Sequence, residues 1–353
     1  MLQSFKAQNF RCFQELDLTD LRRINIVVGK NASGKTALLE AIRLALGATP
    51  SVAVSLNQYR GITFFPVPPN REQFEAQWNS YFFKFDSESI VSTECKDSDG
   101  HTANLRMYYD KERAITPIQQ QQTALITTIL PLCFERVDFS GQASKLYASI
   151  HPQGQGLNLE AGVELGLATE FFASSWFLNP AQNAQWFSQL SLDNREKELV
   201  EAVRSEFGPL ISDLSVLALN PYGGSVYATV PFLTSKIPLS LVSSGINKFF
   251  TILAALLFRR GGVVLVDEIE NGLYFERMPA FWKTILRLAK QYNTQVFAST
   301  HSNECLQSLL PTIKEHEDDF TLLRAERNNG TSSIIPVKGQ FFESGLEQQF
   351  ELR

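Results

Sequence analysis

The segment Gly29-Lys-Asn-Ala-Ser-Gly-Lys-Thr36 decides the expected fold, because it matches the pattern G-x-x-x-x-G-K-[ST] in full. Glycines let the backbone of such a loop wrap a phosphate with its N–H groups, and the following helix points its positive end at the same charge. Lys35 is predicted to reach the β- and γ-phosphates of a nucleotide, and the Thr36 hydroxyl to hold Mg²⁺. The predicted nucleotide ligands in this loop are Gly29, Lys30, Asn31, Ala32, Ser33, Gly34, Lys35 and Thr36.

The segments on either side supply the strand and the helix that this loop requires. Ile24-Asn-Ile-Val-Val28 is rich in β-branched residues and stops at Gly29, which predicts a buried strand. From Thr36 to Leu46 the apolar residues fall on one helical face, and Gly47 ends the run. A strand, a glycine-rich turn and a helix together open an α/β unit.

Length and composition are those of a folded protein. The chain has 353 residues, of which 44% are hydrophobic, so it has ample material for a core. This length predicts two domains, or one large domain with an insertion. Lysine and arginine number 32 against 37 aspartates and glutamates, which gives a formal charge of −5 and a pI near 5.6. This excess of acidic residues argues against a surface covered in basic residues that would bind nucleic acid. It is still compatible with a local basic groove.

Cysteine usage and the apolar runs predict a cytoplasmic protein. Cys12, Cys95, Cys133 and Cys305 lie far apart without a CxxC pair, so neither a zinc ribbon nor a disulfide framework is expected. The N-terminus lacks a signal-peptide core. The most apolar run, Phe249 to Phe258, is about half as long as a membrane-spanning helix. We therefore expect no membrane partner.

The pattern along the rest of the chain predicts an α/β core that is split by an insertion. Further strands are predicted at Leu2–Phe10, Phe13–Leu18, Tyr81–Phe85, Ser89–Glu94, Ala103–Tyr109, Val263–Val266 and Thr294–Ser299. Further helices are predicted at Ala161–Trp176, Arg195–Phe207 after an Asp193 cap, Phe249–Phe258, Met278–Gln291 and Asn303–Leu310, and a loop at Phe65–Pro69. Since strands alternate with helices after Gly245, residues 1–50 and 225–353 are expected to form a nucleotide-binding head with a mixed sheet. Residues 51–224 are expected to form the insertion, with antiparallel strands and then a helical lid.

A second buried strand runs directly into two carboxylates, in Val263-Val-Leu-Val-Asp267-Glu268. In enzymes with such a phosphate-binding loop, the acid at the end of this strand binds the Mg²⁺ shell, which predicts that role for Asp267. The adjacent Glu268 points elsewhere and is predicted to polarise an attacking water as general base. By itself such a run is also common in surface turns, and the loop at Gly29–Thr36 favours the catalytic interpretation.

The next strand ends in Ala298-Ser-Thr-His301-Ser302. A lone histidine is more often structural than catalytic. At the end of a neighbouring strand, however, His301 is expected close to the γ-phosphate of the nucleotide, where it would donate a hydrogen bond to the transferring group. Lys35, Glu268 and His301 are therefore the predicted catalytic residues.

The order of these motifs resembles the head of an ABC-type ATPase. The segments that carry the resemblance are Gly29–Thr36, Leu241–Lys248, Leu265–Tyr274 and Thr300–Ser302. More narrowly, Asn9-Phe-Arg-Cys-Phe13 and Asp267-Glu-Ile-Glu-Asn-Gly-Leu273 resemble the OLD/RecF-like group of bacterial AAA family ATPases. The resemblance covers both ends of the chain and leaves the middle insertion unassigned.

The resemblance implies a homodimer, or a higher even oligomer, that encloses ATP and Mg²⁺ between two heads. Ser243, Ser244 and Gly245 would be the signature motif, which binds the γ-phosphate held by the opposite protomer. A helix start with free N–H groups suits this role. Asn271 and Gly272 would then form the loop that crosses the dimer interface.

Arg11 is a further candidate, because its place in the family suggests a contact with a phosphate or with adenine. An arginine in a surface turn is an equally good interpretation. Trp176, Trp186 and the 27 phenylalanines are interpreted as core rather than as base-stacking platforms.

The sequence departs from the family pattern at several points. Ile246 stands where a polar glutamine or glutamate commonly follows the signature glycine. No glutamine can be assigned as the Q-loop ligand of Mg²⁺, and no heptad run is long enough for a coiled coil. Too few residues follow Thr300 for a TOPRIM nuclease domain, and the acidic run Glu315–Asp319 is interpreted as exposed surface. We therefore expect an ATPase without a nuclease of its own.

Two functions follow from these observations. The first is an ATP-driven switch whose effector, a nuclease or toxin, is encoded separately, as in bacterial anti-phage defence. The alternative is a RecF-like repair ATPase that clamps DNA directly. That alternative calls for a basic stripe, whereas Lys84, Lys96, Arg106, Lys111 and Arg113 are scattered along the insertion. A transporter subunit is disfavoured because of the large insertion before the signature.

Overall fold

In a computed structural model, the structure describes residues 1–62, 71–114, 128–151, 156–174, 179–220 and 223–337. The strands are β1 (Leu2–Phe10), β2 (Phe13–Leu18), β3 (Ile24–Val28), β4 (Val91–Asp97), β5 (Thr102–Tyr109), β6 (Leu132–Val137), β7 (Ala143–Ile150), β8 (Leu157–Leu159), β9 (Thr169–Phe172), β10 (Asp213–Asn220), β11 (Gly223–Thr229), β12 (Ile237–Pro238), β13 (Val263–Val266), β14 (Gln295–Ser299), β15 (Phe320–Asn328) and β16 (Thr331–Val337). The helices are α1 (Lys35–Gly47), α2 (Pro50–Tyr59), α3 (Arg71–Trp78), α4 (Pro180–Leu192), α5 (Glu196–Phe207), α6 (Leu239–Val242), α7 (Ser244–Phe258), α8 (Met278–Gln291) and α9 (Asn303–Glu315).

The chain divides into two compact units. The described residues of the first unit lie within Met1–Leu21, Val28–Thr169 and Leu323–Pro336. Those of the second lie within Arg22–Val27 and Glu170–Leu322, together with Val337. The sequence predicted a different kind of division, into a nucleotide-binding head of residues 1–50 and 225–353 and an insertion of residues 51–224. That division stays a prediction.

The first unit contains a seven-stranded antiparallel sheet in the order β2-β1-β4-β5-β6-β7-β8, with α1 packed against β1, β4 and β5. Along β1, Phe5, Ala7 and Phe10 are buried, whereas Lys6 and Gln8 are exposed. This alternation is expected of an antiparallel sheet with one face on a core. The apolar face of the sheet therefore fixes the start of the chain against α1.

The second unit contains parallel strands that are buried on both faces. Its strands follow one another in the order β3-β14-β13-β9, and Val296 in β14 pairs with Ile24 on one side and Val264 on the other. Strands of this kind appear in the sequence as continuous apolar runs, as β3 and β13 do. The helix α7 is apolar nearly all round and is correspondingly buried. A separate three-stranded sheet has the order β10-β11-β12.

The structure confirms the α/β fold and most of the predicted elements. The predicted strands that become β1, β2, β3, β5, β13 and β14, and the predicted helices that become α1, α5, α7, α8 and α9, are all present. The predicted strand at Ser89–Glu94 is shifted and runs from Val91 to Asp97. Among the described helices, none is both long and apolar enough to cross a membrane. The predicted loop at Phe65–Pro69 and Trp176 lie outside the described residues.

The strand predicted at Tyr81–Phe85 is wrong. This segment forms two short 3₁₀ turns, and Lys84 and Phe85 have φ angles of 52° and 61°. Left-handed backbone of this kind cannot continue a strand. Tyr81, Phe82 and Phe83 are buried whereas Phe85 is exposed, so most of the apolar character that suggested a strand comes from burial in turns.

The helix predicted at Ala161–Trp176 is also wrong. Gly166 has a φ of 115°, and Thr169–Phe172 forms the strand β9. A glycine in this conformation breaks the helix, and β-branched and aromatic residues favour a strand. The predicted Asp193 cap is wrong as well: Asp193 ends α4, and the residue before α5 is Arg195, whose side chain makes no capping bond.

Candidate active site

The loop Gly29–Thr36 lies in the first unit, between the end of β3 and the start of α1. Gly29 and Gly34 have φ angles of 144° and 112°, a region that residues with a Cβ rarely adopt. A Cβ on Gly29 would also lie 2.3 Å from the Ala325 carbonyl oxygen. The motif glycines are therefore required by backbone geometry. Within the loop, the exposed residues are Lys30, Asn31 and Ala32, the buried ones Gly29, Ser33 and Lys35, and the half-buried ones Gly34 and Thr36.

Lys35 sits inside this loop rather than on its surface. Its side-chain ammonium donates hydrogen bonds to the carbonyl oxygens of Gly29 at 2.7 Å and Lys30 at 3.0 Å, and only 8% of the residue is exposed. A buried ammonium group is costly unless several acceptors surround it. The loop thus presents a cation whose position is fixed by the backbone that encloses it.

Arg11 is tied to a buried carboxylate in the first unit. Its Nε lies 2.9 Å from Glu40 Oε2, and its guanidinium lies 4.7 Å from the centre of the Tyr81 ring. Arg60 donates two further bonds to the same carboxylate, at 2.7 and 2.8 Å. The main chain of Arg11 has a φ of 49° and donates to the Tyr81 carbonyl oxygen. Arg11 therefore holds a defined position, and its contact with a nucleotide stays a prediction.

Glu40→Ala is expected to lower the free energy of unfolding by about 3 kcal/mol, because it leaves Arg11, whose side chain is only 11% exposed, without its carboxylate partner. Urea denaturation measures this change. The matched control is Glu72→Ala, which removes an exposed carboxylate from a helix and should change stability by less than about 0.5 kcal/mol. A loss below about 1 kcal/mol for Glu40→Ala would contradict the structural role of the cluster.

Asp267 and Glu268 follow β13 in the second unit and share one hydroxyl. Ser299, at the end of β14, donates from Oγ to Asp267 Oδ1 at 2.5 Å and accepts from the Glu268 N–H at 2.9 Å. Asp267 is 3% exposed, whereas Glu268 is half-buried. Glu268 has a φ of 48°. Residues with a side chain seldom adopt this left-handed conformation, and the separate roles of the two carboxylates stay a prediction.

Lys248 also reaches this turn. From the second turn of α7, its Nζ donates to the Glu268 carbonyl oxygen at 2.7 Å. Burial lowers the pKa of Lys248 to about 8, and the carboxylates of Glu270, Glu268 and Asp267 oppose that shift. The lysine therefore places positive charge beside a set of carboxylates that would otherwise repel one another.

His301 lies just after β14 and contacts a glutamate that the sequence analysis did not single out. Its Nδ1 lies 3.2 Å from Glu270 Oε1 and 4.0 Å from Glu268 Oε1, and its main-chain N–H donates to Glu270 at 3.1 Å. Ser302 then caps α9. The structure thus brings His301 and Glu268 together in the second unit, with Glu270 as the group that orients the imidazole.

The signature segment forms the start of α7. Ser243 caps the helix, its Oγ accepting from the Ile246 N–H at 3.5 Å, and Ser244 is exposed. A Cβ on Gly245 would lie 2.1 Å from the Gly272 carbonyl oxygen, so only glycine allows this contact. Ile246, the departure from the family pattern, is 3% exposed and packs in the core. The Ile246 side chain therefore acts in packing.

Asn271 is exposed beside this contact and bonds to the predicted base. Its Nδ2 donates to Glu268 Oε2 at 2.5 Å, and its main-chain N–H donates to the Glu268 carbonyl oxygen at 3.0 Å. The predicted interface loop is thereby joined to Glu268 within one chain. Its contact with a second protomer stays a prediction.

The two predicted Mg²⁺ ligands are both oxygen donors, Thr36 in the first unit and Asp267 in the second, and their joint role as ligands stays a prediction. Asp267 supplies a buried carboxylate, and Thr36 supplies a half-buried hydroxyl. Hard cations prefer oxygen ligands of these two kinds, and a buried carboxylate needs a positive partner.

Comparison with known proteins identifies the family of this chain. A family model described as AAA ATPase domain matches residues 1–206, which is more than half of the chain. The chain belongs to the AAA ATPase domain family. It is accordingly an ATPase of the nucleotide-binding P-loop class, and the assignment of Gly29–Thr36 as that loop stays a prediction. A second model, whose description begins with AAA domain and names an AbiEii toxin of type IV toxin–antitoxin systems, matches residues 174–306.

Individual relatives agree with this ATPase assignment. A protein of Helicobacter pylori named ATP/GTP phosphatase is 23% identical over 379 residues, which cover 99% of this chain and 98% of that protein. An OLD nuclease of Thermus scotoductus is 42% identical over 60 residues, 17% of this chain and 11% of that protein. A crystal structure of an SmcHead bound to the C-winged helix domain of ScpA has a TM-score of 0.51 at 12% identity and covers 96% of this chain and 97% of that one. This likeness shows the fold of an ABC-type ATPase head.

Three residues of this ATPase escaped the sequence analysis: Lys248, Glu270 and Ser299. Each lies within or beside a quoted motif, but each acts on a residue 20 to 32 positions away. One signal was available for Lys248, since a lysine near the start of a helix is unfavourable for the helix dipole and calls for a nearby acceptor. The other two partnerships depend on how β13 and β14 align.

Proposed function

We propose that this ATPase is an ATP-driven switch. Mg²⁺ and ATP close two copies of the chain into a homodimer, hydrolysis opens it, and a separately encoded nuclease or toxin responds to the closed form. Bacterial anti-phage defence is the proposed setting. The AbiEii toxin named by the family model at residues 174–306 supports a role of this kind. ATPase heads serve many outputs, so the effector is proposed by analogy.

Within one head, we propose that three segments act on the same nucleotide. The proposal follows from the order of the motifs, because the P-loop, the acid pair and the histidine each come directly after a buried strand, as in other P-loop enzymes. The P-loop binds the phosphates, and Thr36 and Asp267 hold Mg²⁺, which when bound neutralises charge on the β- and γ-phosphates. Glu268 accepts a proton from the water that attacks the γ-phosphorus, and His301 donates a hydrogen bond to a γ-oxygen. The bond to the β-phosphate then breaks, which releases ADP and phosphate.

The dimer proposal is carried by the exposed start of α7. Ser244 is accessible at the positive end of a fifteen-residue helix, and the adjacent Gly245 contacts the loop that contains Asn271. N–H groups and hydroxyls at such a helix start bind phosphate. The start of α7 contacts the turn that contains Glu268. A phosphate bound at this helix start would therefore influence the position of the general base. We propose that this phosphate is the γ-phosphate on a second protomer's P-loop.

Mixing two inactive variants tests this arrangement. Lys35→Ala removes the P-loop cation, and Ser244→Asp places a negative charge where the opposite γ-phosphate would bind, at a helix start that tolerates acids. Each variant alone should lack ATP hydrolysis. An equimolar mixture should recover roughly a quarter of the wild-type rate, because half of the dimers are mixed and each of these has one intact composite site.

The mixture is measured by phosphate release at constant total protein, with each variant alone as control. Recovery in the mixture requires that the P-loop and the signature of one site come from different chains. If Ser244→Asp alone hydrolyses ATP at the wild-type rate, or if the mixture stays inactive while both variants are folded, the composite site is contradicted.

A further inference from the structure

The turn at Glu268 is an unusual piece of backbone for a residue with a side chain. Its φ of 48° lies in the left-handed region, which residues other than glycine and asparagine seldom occupy. Such a conformation persists only where surrounding groups hold it. The backbone conformation of Glu268 sets the direction of its side chain. The groups that hold this backbone therefore also determine the direction of the carboxylate.

Three hydrogen bonds hold the main-chain N–H and carbonyl groups of Glu268. The Glu268 N–H donates to Ser299 Oγ, while the Glu268 carbonyl oxygen accepts from the Asn271 N–H and from Lys248 Nζ. Ser299 belongs to the neighbouring strand, and Asn271 is part of the same turn. The bond from Lys248 is the one that comes from α7, the helix whose first turn is the signature segment.

The position of Lys248 is unfavourable for a cation on general grounds. It lies in the second turn of α7, near the positive end of the helix dipole, and its side chain is half-buried. The carboxylates of Glu270, Glu268 and Asp267 surround it and offset this cost. A polar uncharged side chain could also donate to the Glu268 carbonyl, but it could not balance these carboxylates.

We propose that Lys248 is a positioning residue for hydrolysis, which connects the signature helix to Glu268 and keeps the carboxylate of Glu268 directed at the attacking water. This inference rests on the proposed role of Glu268 as general base. It assigns Lys248 to the chemical step and not to nucleotide affinity, because its observed bond is to the Glu268 peptide. A displacement of α7 would thus reach the general base through the Lys248 side chain.

Lys248→Met tests the proposal, since it keeps the length of the side chain and removes the donor and the charge. The expected result is a fall in kcat of about 100-fold, the effect that a misplacement of about 1 Å can have on a reacting group. The affinity for ATP, measured by titration calorimetry, should stay within about twofold of the wild type. The control is Lys283→Met, which removes an exposed lysine of α8 and should leave both quantities unchanged.

A double-mutant cycle with Glu268→Gln separates positioning from a general structural role. If Lys248 acts through Glu268, Lys248→Met should lower the residual rate of the Glu268→Gln protein by no more than about twofold. A structural role would lower the rate by the same factor in both backgrounds. Lys248→Gln, which keeps a donor, should restore part of the wild-type rate, and it replaces Lys248→Met in the cycle if the methionine protein does not fold.

The outcomes distinguish this inference from the function on which it rests. Wild-type turnover in Glu268→Gln would overturn the role of Glu268 itself. A strong effect of Glu268→Gln, combined with an equal loss from Lys248→Met in both backgrounds, would overturn only the positioning role. Loss of ATP affinity in a folded Lys248→Met protein would also overturn it.

Discussion

Lys35→Ala is expected to weaken ATP binding at least about 100-fold, the scale of the loss when one partner of a buried, hydrogen-bonded charge is removed. The Lys35 ammonium lies inside the P-loop, where it bonds to the carbonyl oxygens of Gly29 and Lys30. Its loss removes the cation for the β- and γ-phosphates and also the group that draws the two ends of the loop together. Both effects weaken the binding of ATP.

Titration calorimetry with ATP and Mg²⁺ measures this change. Lys283→Ala, at an exposed position on α8, is the matched control and should bind ATP as the wild type does. Thermal unfolding without nucleotide shows whether Lys35→Ala is folded. A folded Lys35→Ala protein with wild-type affinity would contradict the assignment of Gly29–Thr36 as the nucleotide-binding loop.

Glu268→Gln is expected to lower the rate of ATP hydrolysis by about 1,000-fold while leaving ATP binding intact. The amide has nearly the shape of the carboxylate, and its oxygen can still accept from Asn271 Nδ2. It cannot accept a proton from the attacking water. The chemical step should therefore fail after binding has occurred.

Single-turnover phosphate release measures this rate. Glu276→Gln makes the same chemical change at an exposed position eight residues later, and it should hydrolyse ATP normally. Hydrolysis by Glu268→Gln within about tenfold of the wild type would show that another group supplies the base.

Local sequence patterns predicted those elements whose structure depends on residues close to them in the chain. The run from Ile24 to Gly47 contains the strand, the glycines and the helix of the P-loop, and the structure confirms each. The helix Met278–Gln291 has the predicted bounds because its apolar residues recur at helical spacing. Tyr81–Phe85 and Ala161–Trp176 failed because turn geometry and glycine conformation override the apolar pattern there.

The chemical groups of the candidate site were predictable, but their arrangement was not. Asp267, Glu268 and His301 each follow an apolar strand, and this position is visible in the sequence. The links among them are not visible, because Ser299 and Lys248 reach Asp267 and Glu268 from other strands and helices. Packing of these elements in the second unit determines those bonds.

The mass of the Glu268→Gln protein in solution, measured by light scattering with and without Mg²⁺ and ATP, tests the central claim most directly. Because this variant should bind ATP without hydrolysing it, the closed form should accumulate. The account predicts that ATP raises the mass from that of one chain, 39.7 kDa, to twice that value. A mass of one chain that ATP leaves unchanged, at ATP concentrations that saturate the protein, would contradict the ATP-closed homodimer.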